Sequence, residues 1–189
     1  MSLDRLWAGW RAEYIEGVAG TPAPRLGECL FCLLSRGAPR DERAGVEVGT
    51  GVEAGASASD VERLVLARSE HAYAVMNAYP YTSGHLMVVP HRHVATLAEL
   101  TREEGAALMA MTQDATAAVD AAYAPEGMNV GVNIGRAGGA GIPGHVHVHV
   151  LPRWNGDTNF MTSIAEVRVL PESLRSSYDK LRAAWPGLP

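Results

Sequence analysis

Residues 145–151 read His-Val-His-Val-His-Val-Leu, a strict alternation of imidazole and apolar side chains. Because successive side chains of a β-strand point to opposite faces, this alternation predicts a strand with all three imidazoles on one face, about 6.6 Å apart. Val146, Val148 and Val150 would then face the core. The chain has seven histidines in all, so a row of three on one strand face indicates a chemical role for that face.

Three interpretations of the histidine row are open. The imidazoles can decorate the wet side of an edge strand, although Tyr, Thr or Lys would serve equally well there. They can hold a catalytic zinc ion, because histidines at i and i+2 chelate one metal. In the third interpretation one imidazole attacks phosphorus while its neighbours bind phosphate oxygens.

The loop before the row favours the phosphate interpretation. Residues 135–144 contain five glycines and end at the first histidine of the row. Glycines let backbone N–H groups approach an anion closely and form a nest for phosphate. The sequence therefore predicts a phosphate site made of the glycine loop and the histidine face.

Apolar runs further from the row complete a sheet. The predicted strands span residues 64–67, 71–76, 85–90, 128–134 and 145–151. A long helix is predicted over 101–123, because Thr101 and Glu104 have capping-box spacing and apolar residues follow at helical intervals. We expect an α+β fold, with an antiparallel sheet of about five strands and the long helix packed on it.

The flanking regions have weaker patterns. We expect a single domain over 1–189, with its core in 60–152. The N-terminal part, 1–34, carries an amphipathic helix over 3–17 and the pair Cys29 and Cys32. Residues 35–60 look like a flexible insertion, and the tail, 153–189, ends in a helix near 171–184 that begins at Pro171-Glu172.

Composition excludes several classes of function. The net charge is −5, so no basic field is available for a nucleic-acid backbone. No run of 18 apolar residues predicts a membrane span, and residues 1–5 lack the apolar segment of a signal peptide. We therefore expect a cytoplasmic protein with neither nucleic acid nor membrane as a partner.

Two segments together resemble the histidine triad family. One is Asn133-Ile134-Gly135 with the row at 145–151, and the other is Gly-His-Leu-Met-Val-Val-Pro-His-Arg-His at 84–93. The resemblance covers roughly residues 60–152. It implies the histidine triad fold, a homodimer, and nucleotidyl transfer at the α-phosphate of a nucleotide, with no cofactor required for the chemistry.

The resemblance also implies roles for individual residues. The middle histidine, His147, would be the nucleophile, which suits a neutral imidazole with an unperturbed pKa of about 6.5. His149 and the loop N–H groups would hold phosphate oxygens, and His145 completes the catalytic row. The substrate-binding residues would be Asn77, His85, Asn133, Gly141, Gly144, Arg153 and Trp154.

Sequence around the row separates branches of the family. The phosphoramidase branch has Gln and Ser where this chain has Gly141 and Ile142. Pro152-Arg153-Trp154, the segment 156–161 and the tryptophan-bearing N-terminal helix are similar to the bacterial diadenosine tetraphosphate phosphorylase branch. That similarity implies phosphorolysis of diadenosine tetraphosphate to ATP and ADP, with Arg153 a candidate ligand of inorganic phosphate. A nucleotide hydrolase, a phosphoramidase and a non-catalytic nucleotide-binding module are the alternatives.

The Cys29–Cys32 pair has three interpretations: a redox pair, two buried thiols, or half of a tetrahedral zinc site. Some histidine triad proteins, and the related galactose-1-phosphate uridylyltransferases, complete such a site with two histidines. The matching positions here are His93 and His145, so the resemblance implies one structural zinc ion. A zinc-bound His145 could not also donate freely to phosphate.

Overall fold

The computed structural model describes residues 29–36, 58–157 and 171–187. The strands are β1 (Val65–Arg68), β2 (Ala72–Met76), β3 (Leu86–Pro90), β4 (Gly127–Val132) and β5 (Val148–Arg153). The α-helices are α1 (Leu30–Ser35), α2 (Ala58–Glu62), α3 (Arg102–Tyr123) and α4 (Leu174–Ala183), and a 3-10 turn covers Leu97–Glu99. This content confirms the predicted α+β class.

The strands form one sheet in the order β1-β2-β3-β5-β4, and every neighbouring pair is antiparallel. Met87 of β3 pairs with Val75 of β2 on one side and with His149 of β5 on the other. Residues that pair directly across strands share a sheet face. A single face therefore carries apolar side chains from β2 and β3 next to the last histidine of the row.

Helix α3 covers the opposite face. The predicted capping box is present, with Thr101 Oγ1 accepting from the N–H of Glu104 and the Glu104 carboxylate accepting from the N–H of Thr101. The helix ends at Ala124, which adopts the left-handed conformation (φ 42°). Its buried side chains pack on the sheet face that carries Val148 and Val150. The valine face of the histidine strand is thus the core face, as predicted.

Helix α1 covers part of the histidine face. Phe31 packs with Tyr73, Val75 and Met87, and the Tyr73 hydroxyl donates to the carbonyl of Phe31 across 2.7 Å. Arg68 donates to the carbonyls that end α1 and forms an ion pair with Asp60. A cation at the C-terminal carbonyls of a helix satisfies unpaired acceptors there. These bonds fix α1 beside the cavity described below.

The flanking elements differ in part from their predicted bounds. At the ends of the insertion expected at 35–60, α1 ends at Ser35 and α2 begins at Ala58, and residues 37–57 lie outside the described part of the chain. Helix α4 begins at Leu174, with Ser173 as its N-cap, instead of at Pro171. The N-terminal helix predicted over 3–17 lies outside the described residues. Among the helices that the structure describes, none is long and apolar enough to cross a membrane.

Candidate active site

The histidine row lies at the entrance to β5. Regular pairing begins at Val148, three residues later than predicted, but the N–H of Val146 donates to the carbonyl of Val94 across 2.7 Å and keeps the preceding segment extended. His145 and His147 are buried and His149 is half-buried. The ring centroids of His147 and His149 are 4.8 Å apart. The strand alternation therefore brings these two imidazoles together, as the sequence indicated.

His147 has the geometry of a nucleophile. Its Nδ1 lies 2.9 Å from the carbonyl oxygen of His145, and a carbonyl can only accept, so Nδ1 carries the proton. In the neutral ring Nε2 therefore keeps its lone pair. Burial lowers the pKa of His147 below its ordinary value, against the opposing effect of the backbone hydrogen bond. The ring is thus held in the neutral form, whose Nε2 can attack phosphorus at neutral pH.

His85 fixes the tautomer of His149. The backbone N–H of Tyr81 donates to His85 Nδ1 across 3.1 Å, so in a neutral ring His85 Nε2 carries the proton. That atom lies 3.0 Å from His149 Nδ1 and donates to it. The remaining proton of a neutral His149 then sits on Nε2. This arrangement gives His149 a fixed donor for a phosphate oxygen or a leaving group.

A cavity of about 510 Å³ opens onto His147 and His149. One wall is apolar and the other is formed by the glycine loop. Its lining includes Leu30, Phe31, Leu34, Val75, Met87, Asn77, Tyr79, Tyr81, Gly139, Gly141 and Ile142. A cavity of this size that is mainly apolar and has a few polar groups at one end fits a nucleoside beside a phosphate.

Of the predicted substrate residues, two line the cavity and two others contact parts of the site next to it. Asn77 and Gly141 line the cavity, and the Asn77 side-chain nitrogen lies 3.3 Å from His85 Nδ1. Asn133 instead holds the glycine loop, because its Nδ2 donates to the carbonyl of Gly139 across 3.4 Å. His85 is fully buried and acts on the site through His149.

Three predicted substrate residues lie elsewhere in the structure. The Arg153 guanidinium is engaged by the Asp157 carboxylate at 2.5 and 2.9 Å and by Asn129 Oδ1 at 2.8 Å. The ring of Trp154 packs edge-on against Tyr123. Neither residue lines the cavity, so the phosphate contact of Arg153 stays a prediction.

The third of these residues, Gly144, lies next to the predicted metal ligands. A Cβ at this position would be 3.5 Å from His93 Nε2. Gly144 therefore belongs to the surroundings of the Cys-His cluster and not to the phosphate cavity.

The four predicted metal ligands form one cluster. The ligand atoms of Cys29, Cys32, His93 and His145 all lie within 4.8 Å of one another. Nδ1 of His93 is 3.2 Å from the Cys32 sulfur, and Nδ1 of His145 is 3.5 Å from the Cys29 sulfur. Tetrahedral zinc, with Zn–S of about 2.3 Å and Zn–N of about 2.0 Å, puts its ligand atoms roughly 3.3–3.8 Å apart. The donor set and its spacing therefore fit a zinc ion after small shifts.

Protonation states also suit a metal at this cluster. His145 Nε2 donates to the carbonyl of Pro90 across 2.9 Å, which leaves Nδ1 as the ligating atom. Burial lowers the pKa of His145 to about 4. Burial, together with the neighbouring Cys29, raises the pKa of Cys32 to about 11, so a metal must displace a proton to bind there. With both ring nitrogens directed away from the cavity, His145 contributes its carbonyl to the site.

Sequence reasoning missed the apolar and aromatic parts of the site. The ring of Phe31 lies 4.9 Å from that of His147, and the ring of Tyr81 lies 4.7 Å from that of His85. Phe31 sits between the two cysteines and Tyr81 sits in a Tyr-Pro-Tyr segment. Neither position shows a periodic pattern, so only the packing of α1 and of the 77–81 loop reveals them.

The antiparallel sheet, the alternating histidines and a fourth histidine, His85, directly before β3 define a histidine triad domain. The sequence model of the HIT domain matches residues 58–156, which is more than half of the chain. The protein belongs to this family.

Individual relatives are similar over different spans. An AP-4-A phosphorylase from Mycobacterium tuberculosis is 40% identical over 187 residues, covering 99% of this chain and 87% of that protein. An asymmetrical bis(5′-nucleosyl)-tetraphosphatase from Schizosaccharomyces pombe is 31% identical over 93 residues, covering 49% of this chain and 50% of that protein. A zinc-bound histidine triad protein from Mycobacterium smegmatis superposes with a TM-score of 0.54 at 28% identity, covering 66% of this chain and 87% of that one.

Proposed function

We propose that this protein is a diadenosine tetraphosphate phosphorylase that transfers an adenylyl group through His147. The observation that carries the proposal is the 2.9 Å bond from His147 Nδ1 to the His145 carbonyl, which leaves the lone pair on Nε2 of a ring that lines the cavity. The 40% identity to the mycobacterial AP-4-A phosphorylase over nearly the whole chain supports this choice of substrate and acceptor.

The first step forms a covalent adenylyl-histidine. Nε2 of His147 attacks an α-phosphorus, the bond from that phosphorus to its bridging oxygen breaks, and ATP leaves with the electron pair. The negative oxygens need compensation as this bond breaks. We assign this compensation to His149, whose tautomer is set by His85, and to N–H groups of the glycine loop other than those of Gly139 and Ala140, which donate within the loop.

In the second step inorganic phosphate attacks the same phosphorus. The P–N bond to His147 breaks, Nε2 recovers its lone pair, and ADP is the product. Phosphate competes with water only if the site binds it in line with the P–N bond. We assign this binding to the loop N–H groups and His149, since Arg153 is held by Asp157.

A hydrolase of dinucleoside polyphosphates is the second candidate. The similarity to the S. pombe tetraphosphatase favours it. The chemistry of the first step is then the same and water replaces phosphate in the second, so that AMP is formed in place of ADP.

Trapping of the intermediate tests the proposed nucleophile. Diadenosine tetraphosphate labelled at the α-phosphorus, mixed with the enzyme without phosphate and quenched in alkali, should label the protein. His147→Asn should abolish both labelling and turnover while nucleotide binding persists. A fully active His147→Asn protein would show that the nucleophile is misassigned.

The proposal also includes a structural zinc ion and a homodimer in the cytoplasm. Zinc would be held by Cys29, Cys32, His93 and His145 and would tie α1 to the sheet.

Strand β4 lies at the edge of the sheet, and Val130 on it is 48% exposed. An apolar edge strand is a favourable surface for a second copy. Light scattering should therefore give twice the mass of one chain. Val130→Arg should lower the measured mass to that of a single chain.

A further inference from the structure

Two cavity-lining side chains form an exposed apolar rim. Tyr79 and Leu30 both line the cavity, yet they are 69% and 53% exposed. Exposed apolar surface at a groove is a feature of ligand-binding sites. The rim is therefore a candidate for binding a part of the substrate that lies outside the cavity.

Tyr79 is presented by a fixed loop. Its backbone N–H donates to Asn77 Oδ1 across 2.9 Å, which makes an Asx turn, and Pro80 follows directly. The next residue, Tyr81, stacks on His149 with centroids 6.2 Å apart and planes 22° apart. The loop that carries Tyr79 thus runs beside the phosphate end of the site. A rigid loop presents an aromatic ring at a low cost in conformational entropy.

A dinucleoside polyphosphate is larger than the cavity. About 510 Å³ is the size of a site for one drug-sized ligand, and the nucleoside whose α-phosphorus meets His147 occupies it. The leaving phosphates and the second nucleoside must therefore extend past the rim.

We propose that Tyr79 stacks on the second base of the dinucleoside substrate and forms a second nucleoside subsite. This inference rests on the proposed function and adds a selection for dinucleoside over mononucleoside polyphosphates. Stacking tolerates any base, because every base has a π-face. The subsite therefore discriminates by the presence of a second base and leaves base identity to the cavity.

The test compares two ligands in a protein that binds without turnover. In the His147→Asn background, calorimetry gives the Kd of diadenosine tetraphosphate and of adenosine 5′-tetraphosphate, which lacks the second nucleoside. We expect the dinucleotide to bind about tenfold more tightly. Tyr79→Ala should remove this preference and leave the Kd of adenosine 5′-tetraphosphate unchanged, whereas Tyr79→Trp should keep it. Leu97→Ala, a truncation of another exposed apolar side chain that does not line the cavity, should change neither.

The two ligands differ in charge as well as in the second nucleoside. Because this charge difference affects every variant alike, it cancels when the ratio of the two Kd values is compared between variants. An equal loss for both ligands in Tyr79→Ala would place the ring against the first nucleoside and overturn the proposal. An unchanged preference would overturn it as well, and the proposed phosphorolysis would stand. If the His147→Asn protein with Tyr79 intact binds neither ligand, both the proposed function and the proposed subsite are wrong.

Discussion

The ring of Tyr123 lies so close to the backbone of Gly84 that a Cβ on Gly84 would be 2.6 Å from Tyr123 Cε2. Gly84 also has φ +77° and immediately precedes His85. The hydroxyl of Tyr123 donates to Glu172 across 2.5 Å, and Glu172 also accepts from Ser177 of α4. The C-terminal helix therefore supports the turn that positions the histidine partner of His149.

Gly84→Ala should destabilise the fold. The left-handed backbone costs an L-residue about 1–2 kcal/mol, and the displaced Tyr123 ring adds to this. Urea denaturation measures the loss. Gly105→Ala is the matched control, because that glycine lies inside α3 with open space around its Cβ, and there alanine should stabilise by about 0.5–1 kcal/mol. Equal effects of the two substitutions would contradict the role given to Gly84.

Purified protein should contain one zinc ion per chain, and Cys29→Ser should bring this close to zero. A Cys₂His₂ set loses most of its affinity with one thiolate, and the link between α1 and the sheet is lost with the metal. Elemental analysis gives the metal content and a thermal scan gives the lower Tm. His71→Gln alters a half-exposed histidine outside the cluster and should keep the metal. Full metal content in Cys29→Ser would rule the cysteines out as ligands.

His85→Gln should lower kcat at least about tenfold with a smaller change in KM, because the group that fixes a catalytic histidine's tautomer acts mainly in the transition state. Steady-state kinetics at saturating phosphate measure both constants. Circular dichroism checks that the fold is kept, since His85 is fully buried. An unchanged kcat would show that His149 does not need its bond to His85.

Glu104 should make stability depend on pH in the acid range. Its hydrogen bonds from Arg92, and then from the N–H of Thr101, lower its pKa from 4.5 to about 2. A carboxyl group with a lowered folded-state pKa stabilises above its unfolded pKa and loses this effect as the pH falls. Glu104→Gln should therefore be less stable than the natural protein at pH 7, and the difference should shrink between pH 4.5 and 2. If the difference is constant over this range, ionisation of Glu104 is not its cause.

The histidine face and the long helix could be read from the sequence because both follow from strict local periodicity. The alternation at 145–151 placed Val148 and Val150 in the core, and Thr101 with Glu104 marked the start of α3. The helices α1 and α2 are too short to show a period, so the sequence predicted only a cysteine pair at the first and the end of a flexible insertion at the second.

The parts of the site that could not be predicted from the sequence depend on contacts between residues far apart in the chain. Cys29 and His145 are 116 positions apart, and only the resemblance to a family brought them together. The sequence predicts Arg153 as a ligand of phosphate. In the structure the turn at 155–156 places Asp157 in an ion pair with it. The rim residue Tyr79 has no pattern around it, and its exposure depends on how the 77–81 loop folds over the sheet.

The fate of labelled inorganic phosphate tests the central claim most directly. Diadenosine tetraphosphate incubated with the enzyme and ³²P-labelled phosphate should give ATP without label and ADP labelled at its β-position, because phosphate attacks the adenylyl-His147. The reaction should also slow greatly when phosphate is withheld. Unlabelled AMP and ATP as the products at every phosphate concentration would contradict phosphorolysis and identify the protein as a hydrolase.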